Sequence, residues 1–416
     1  AVLRRLGQLI RRDLDSLARL ESLDTGKPLS QARGDAEVAA QYFEFYADTV
    51  KAFHGEVIPS AAADALLLAL PEPHGVTAHI VPWNYPLAIC ARTVAPALAS
   101  GNCCVLKPAE EAPLTSLRVA ELALEAGLPA GAYNVVSGIG IEAGAALAGH
   151  PDIDHLSFTG STTVGSLVSQ AAGANHVPVT LELGGKSPQI LFADANFGAA
   201  LAAVAKSIVH NAGQTCSAGT RLLVEHSREQ EAVEALREHF AKVQIGPGPS
   251  DPELGPLISR AQRERVERLV SIGRGEARLV VGGEAPKEPE LSGGFYFLPT
   301  LFDQVAPAAL IAQEEIFGPV LSVIPFGSER EAIELANHTR YGLVAAIWTK
   351  DIDRALWLAR ELRSGQVFVN NFGSSAGVEL PFGGAKHSGH GREKGFEALR
   401  TYTRTKAVAV KFQGYS

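Results

Sequence analysis

Cys216 stands in GQTCSAG, a small polar loop with a glycine at each end. A thiolate there can attack an electrophilic carbon, and a thiol there can equally be small buried packing. Glu182 stands in LELGGKSP at the end of an apolar run. A carboxylate in such a place is costly unless paired or functional, and burial raises its proton affinity toward that of a general base. Capping of nearby backbone N–H groups is its other reading. Asn84 lies in PWNYP, between two prolines that fix the backbone. A rigidly placed amide suits an oxyanion, and a turn that packs Trp83 into a core has the same appearance.

Three further stretches suit a nucleotide. In KPAEEAPL, Lys107 can hold hydroxyls or phosphate, and Glu110 can accept both hydrogen bonds of a ribose diol. In FTGSTTVG, Gly160 and Ser161 open a helix, whose N-terminus favours phosphate. In EEIFGPV, an acid and an aromatic, Glu315 and Phe317, precede a strand. An exposed loop pair and a capped helix are the plain readings of the first two. Together these residue types are the parts of covalent acyl chemistry coupled to a nucleotide cofactor.

Such residues need elements to position them. The runs VTAHIV, CCVL, YNVV, HLSF and VTLEL alternate with helical patterns over Leu87–Ala99, Ser116–Ala126, Glu142–Ala148 and Thr162–Ala172. Alternation of this kind predicts β-α-β units, a parallel sheet and a doubly wound, Rossmann-like α/β block. After GGKSP it restarts. QILF, RLLVE, VLSVIPF, VAAIW and QVFVN read as strands, with helices over Phe197–Asn211, Glu229–Lys242 and Ser259–Ile272, and predict a second α/β domain. Gly55–Pro73 and Thr401–Phe412 fit neither block and read as β segments that cover another sheet or another subunit. The expected division is residues 1–53 and 74–185 for cofactor binding, 186–400 for catalysis, and 54–73 with 401–416 as a small β oligomerisation element.

Bulk composition excludes other classes. The 416 residues carry a net charge of −8, and no Lys/Arg block is long enough for nucleic acid. Arg4, Arg5, Arg11 and Arg12 share a segment with Leu3, Leu6, Ile10, Leu14 and Leu17, which are spaced for one helix face, so the arginines read as its solvated side. The four cysteines lack C-x-x-C spacing, which argues against a disulfide framework or a metal site and for a reducing cytoplasm. No apolar run approaches membrane-spanning length.

PWNYP, KPAEEAPL, FTGSTTVG, LELGGKSP, GQTCSAG, EEIFGPV and PFGGAKHSGHGRE occur in that order. In this they resemble the NAD(P)-dependent aldehyde dehydrogenase superfamily, over essentially the whole chain. The resemblance implies that an amino-terminal segment of typical members is absent here, in keeping with the abrupt helical start. It implies that Cys216 attacks an aldehyde, that Asn84 and the Cys216 backbone N–H hold the oxyanion, and that Glu182 activates the water that hydrolyses the thioester. It places Lys107 and Glu110 on the adenosine ribose, with Gly160 and Ser161 at the pyrophosphate and Trp83 and Val164 nearby. Glu315 and Phe317 would hold the nicotinamide ribose and ring. Glu110 competes with a 2′-phosphate, so the expected cofactor is NAD rather than NADP. A homodimer or homotetramer is also implied.

Glu182, which CoA-acylating relatives lack, favours a free acid as product. Tyr85 and Arg92 are the expected substrate contacts. Many family members have tryptophan where Arg92 stands; succinate-semialdehyde dehydrogenases are similar to this chain there, although His210 takes the place of their second arginine. Arg92 either grips an acidic semialdehyde or pairs with a nearby acid. A member that keeps the fold without turnover is the alternative of another class.

Overall fold

The computed structural model of the chain describes residues 1–373 and 377–413. Among them, the predicted strands gather into two mostly parallel sheets, and a third sheet is antiparallel. The first, six-stranded sheet runs in the order Tyr133–Val135, Cys103–Lys107, Val76–Ile80, His155–Thr159, Val179–Glu182, Gly389–His390. Its first five members are parallel and appear in the chain order 3-2-1-4-5. That is the Rossmann order, and it reverses between Val76–Ile80 and His155–Thr159. Loops leaving neighbouring strands there turn to opposite faces of the sheet and open a crevice at their carboxyl ends.

The second, seven-stranded sheet runs Arg278–Val281, Thr300–Asp303, Val320–Phe326, Arg221–Glu225, Pro188–Leu191, Val344–Trp348, Gln366–Val369. All its pairings are parallel except the first. Its central strands are buried on both faces, which is why they read as unbroken apolar runs rather than alternating ones. In the third sheet Ala65–Pro73 pairs antiparallel with Glu56–Ile58 on one side and, over nine residues, with Thr403–Lys411 on the other.

Several expectations change. The apolar face of the opening segment is split between two helices, Val2–Arg12 and Leu14–Thr25, which break at Asp13. Arg4, Arg11 and Arg12 are ion-paired on the surface with Asp48, with Glu37 and Glu44, and with Asp13 and Glu125. The helix Phe197–Val209 stops short of Asn211, because Asn211, Ala212 and Gly213 all have positive φ. Near its end the chain returns to the first sheet: Gly389 pairs with Glu182, so the span expected for catalysis lends a strand to the cofactor sheet. Residues 374–376 and 414–416, within the expected catalytic and oligomerisation spans, lie outside the described residues. None of the described helices is long and apolar enough to cross a membrane.

Candidate active site

The crevice of the first sheet opens onto the second. A cavity of about 440 Å³ lies there, lined from one side by Trp83, Asn84, Gly160, Ser161 and Glu182 and from the other by Cys216, Glu315 and Phe317. A further cavity of about 240 Å³ is lined by Tyr85, Arg92 and, again, Cys216. The sulfur-bearing residue is thus common to both walls.

The Cys216 loop is held from three directions. Asn84 Nδ2 donates to the Gln214 carbonyl at 2.9 Å, and Asn211 Nδ2 donates to the Asn84 carbonyl at 3.0 Å. Gln214 donates through Nε2 to the Asn211 carbonyl and accepts at Oε1 from the Ile258 N–H. Gly213 has φ +71°, and a Cβ there would strike the Gly318 carbonyl. A Cβ on Gly185 would strike the Cys216 carbonyl. Small residues on both sides are therefore required by close backbone approach. Burial pushes the Cys216 thiol up to about 12, which the positive charge of Arg92 partly opposes.

Glu182 ends its strand between Thr159 and Gly389 and is 2% exposed. Neither carboxyl oxygen has a hydrogen-bond partner among the described residues. Burial raises its pKa well above the ordinary carboxylate value, and the nearby Glu393 charge adds to this. An orphaned buried carboxyl on the wall it shares with Cys216 has a proton-accepting capacity that no structural contact uses.

The nucleotide-suited groups divide in two. Ser161 caps the helix Thr162–Gly173 through Oγ, which accepts from the Val164 N–H, so Gly160 and Ser161 sit at a helix N-terminus on the cavity wall. Glu315 Oε1 accepts from the Gly185 N–H at 3.1 Å, and burial raises its carboxyl to about 7. Phe317, with φ +60°, meets Trp83 edge-on at 5.3 Å. Lys107, Glu110 and Val164 lie outside this lining. Lys107 Nζ donates to Glu110 at 2.7 Å at the end of the strand beside Val76–Ile80, and Val164 is exposed in the first turn of its helix.

Tyr85 donates or accepts a 2.7 Å hydrogen bond with the Thr215 hydroxyl, beside Cys216. Its ring stacks with that of His210 at 6.2 Å. Arg92 is 8% exposed, and its Nε lies 2.5 Å from Glu393 Oε2. The contact is an ion pair without hydrogen-bond alignment. Of the groups that fix the loop, Asn211 and Gln214 escape sequence reading, since the helical pattern runs on to Asn211. Glu393 was in view inside GHGRE, but nothing local marks its partner. No group of three His, Cys, Asp or Glu side chains among the described residues could hold a metal ion.

Against known proteins, residues 1–408 match the model of the aldehyde dehydrogenase family. The chain belongs to that family. It is 44% identical to the betaine aldehyde dehydrogenase of Bacillus subtilis (strain 168), over 97% of this chain and 83% of the relative. It is 43% identical to the NADP/NAD-dependent aldehyde dehydrogenase PuuC of Escherichia coli (strain K12), over 99% and 83%. A solved putative aldehyde dehydrogenase from Burkholderia cenocepacia superposes with TM-score 0.96 at 55% identity, covering 99% of this chain and 86% of that one. Betaine aldehyde dehydrogenase from Staphylococcus aureus, solved in complex with NAD+, superposes with TM-score 0.97 at 39% identity, covering 100% and 83%. The expected family and its α/β fold are borne out.

Proposed function

We propose that this chain oxidises an aldehyde to the free carboxylic acid with NAD as hydride acceptor. The observation that carries the reading is the position of Cys216 on the walls of two cavities. One is suited to a dinucleotide, with a helix N-terminus and a hydrogen-bonded acid; the other is suited to a small organic substrate. The S. aureus relative solved with NAD+ and the NADP/NAD-dependent E. coli relative support the cofactor class.

The steps follow from the residues. Cys216, as the thiolate, adds to the aldehyde carbon. The Asn84 amide, one of whose N–H bonds is committed to Gln214, directs its other N–H at the oxyanion together with the Cys216 backbone N–H. Bound NAD supplies the acceptor for the hydride that the thiohemiacetal releases. Glu182 takes a proton from water, which attacks the resulting thioester and frees the thiol. Trp83, Gly160, Ser161, Glu315 and Phe317 hold the cofactor, with Lys107, Glu110 and Val164 beyond the cavity on its adenosine side. Tyr85 and Arg92 line the substrate path.

The division into residues 1–53 and 74–185, 186–400, and 54–73 with 401–416 is our assignment, and the three sheets support it. Leu66, Leu70 and Val57 stand exposed on the third sheet, which supports a homodimer or homotetramer. Light scattering tests that assembly.

Purified protein, a panel of aldehydes and NAD test the main reading: NADH and the free acid appear in equal amounts without CoA. Protein that reduces NAD with none of the panel would be a family member without turnover, and a requirement for CoA would replace hydrolysis by acylation.

A further inference from the structure

The smaller cavity presents charges of both signs. Asp35 and Arg92 line it on different helices, Leu29–Thr49 and Pro86–Ala99. Each has its counter-ion behind the wall. Lys27 pairs with Asp35, and at 3.2 Å with Glu21. The Lys27 and Glu21 side chains are wholly excluded from solvent, and neither lines the cavity. Lys27 Nζ also lies 4.1 Å from the centre of the Tyr85 ring. Burial raises the Glu21 carboxyl, and the Lys27 ammonium beside it opposes the rise. Asp35 thus meets its counter-charge in Lys27, with Glu21 as a second carboxyl on the same ammonium.

Arg92 is cancelled in the same way. Its partner Glu393 is 1% exposed, lies behind the wall, and accepts from the Ser157 hydroxyl through its other oxygen at 3.0 Å. The guanidinium also sits 5.0 Å from the centre of the Phe382 ring. Burial and the neighbouring Arg92 charge lower the amine of Lys394, also on the lining, to about 8, which the Glu379 carboxylate opposes. Much of the remaining wall is aromatic, including Tyr42, Phe368 and Phe372.

Removing one member of a buried pair strands the other charge, so Asp35 and Arg92 are each committed to a partner. A charged aldehyde tail would either break such a pair or lose its water without gaining a partner. We propose that this cavity selects aldehydes with uncharged tails, and that Lys27 and Glu393, which touch no substrate, set that selectivity by cancelling Asp35 and Arg92. The proposal rests on the reading of the chain as an aldehyde-oxidising enzyme.

The test compares kcat/KM for three aldehydes of similar length: pentanal, 4-oxobutanoate and 4-(trimethylammonio)butanal. The wild type prefers pentanal to either charged substrate by at least about tenfold. Lys27→Met exposes the Asp35 charge and raises the cation-to-pentanal ratio by about tenfold. Glu393→Gln frees Arg92 and raises the anion-to-pentanal ratio to a similar degree. Asp35→Asn, which keeps Lys27, moves the ratio toward the anion and serves if Lys27→Met does not fold. A wild type that takes a charged aldehyde as well as pentanal overturns the proposal and leaves the enzyme reading standing. Unmoved ratios in folded variants overturn it as well. A wild type that oxidises no aldehyde removes the underlying reading, and the proposal with it.

Discussion

The two parallel sheets meet at the candidate site with opposite ends. The six-stranded sheet offers the carboxyl ends of its strands: Asn84 follows Val76–Ile80, Gly160 and Ser161 follow His155–Thr159, and Glu182 closes Val179–Glu182. The seven-stranded sheet offers amino ends: Cys216 comes before Arg221–Glu225, Glu315 and Phe317 before Val320–Phe326, and Tyr341 before Val344–Trp348. The difference has a chemical consequence. A loop at a carboxyl end leads into a helix N-terminus, where N–H groups and the dipole favour negative charge. The Cys216 loop instead trails the helix Phe197–Val209 and is shaped by three residues of positive φ. Its thiol gains nothing from an adjoining helix start and is pushed up to about 12 by burial. On this view the first sheet supplies electrostatics and base, and the second supplies a strained, tightly packed nucleophile.

The largest effect falls on that nucleophile. Cys216→Ser lowers dehydrogenase turnover by more than about a thousandfold. NAD binding, followed by quenching of tryptophan fluorescence, stays near the wild-type value. Turnover retained with serine would break the comparison outright, because the second sheet would then contribute no reacting atom.

Next comes the base. Glu182→Gln slows steady-state turnover by roughly a hundredfold to a thousandfold. Hydride transfer precedes the step it serves, so rapid mixing shows a burst of NADH followed by slow release of acid. As the proposed base, Glu182 would act as the carboxylate, and burial raises its pKa. Activity therefore falls on acidification at a higher pH than an ordinary carboxylate would give. Glu182→Gln abolishes that limb, and a limb that survives the substitution assigns it to another group.

These two residues also show what could be read from the chain and what could not. Glu182 was conspicuous because an acid at the end of VTLE breaks an apolar pattern. The parallel order of the first sheet followed from strand–helix alternation, which is local. The restraint on Cys216 is not local: Asn84 reaches Gln214 across 130 positions. The strand Gly389–His390, which pairs with Glu182, is two residues long and carries no period to detect. The helix Glu329–Asn337 did leave a trace, since Ser328 caps it and Glu331 reaches back to the Gly327 N–H, so S-x-x-E at that point was legible. Arg92 could be read as a substrate grip or as one half of an ion pair, but which acid it meets, Glu393, is defined by packing alone.

Asn84 lies between the sheets in role as well as place. Asn84→Ala removes one oxyanion donor and one anchor of the Cys216 loop, and costs about a hundredfold in kcat. Asn84→Asp keeps the size and loses the donor. Both variants lose the hydrogen bond to the Gln214 carbonyl, so a fall in kcat with NAD binding unchanged in both assigns the amide to the reacting centre, and a kcat near the wild-type value in either removes Asn84 from the oxyanion site.

The smallest effect sharpens the account of the first sheet at its far edge, where the cavity ends. Glu110 accepts from Lys107 at 2.7 Å and from the Gly140 N–H at 3.1 Å. Burial works to raise its carboxyl, but these two donors hold it below the ordinary value, so it stays ionised at neutral pH. A fixed negative charge there disfavours a 2′-phosphate. Glu110→Gln preserves the shape and one of the two acceptor contacts, since its amide nitrogen cannot accept the other, and raises kcat/KM with NADP relative to NAD by about tenfold. The Glu110 side chain is 43% exposed, so the repulsion is screened. At about 1 M salt, where the Debye length falls to about 3 Å, the wild type should move toward the ratio of the variant. A preference that ignores both the substitution and the salt would mean that discrimination rests on shape, with the Glu110 charge engaged only by Lys107.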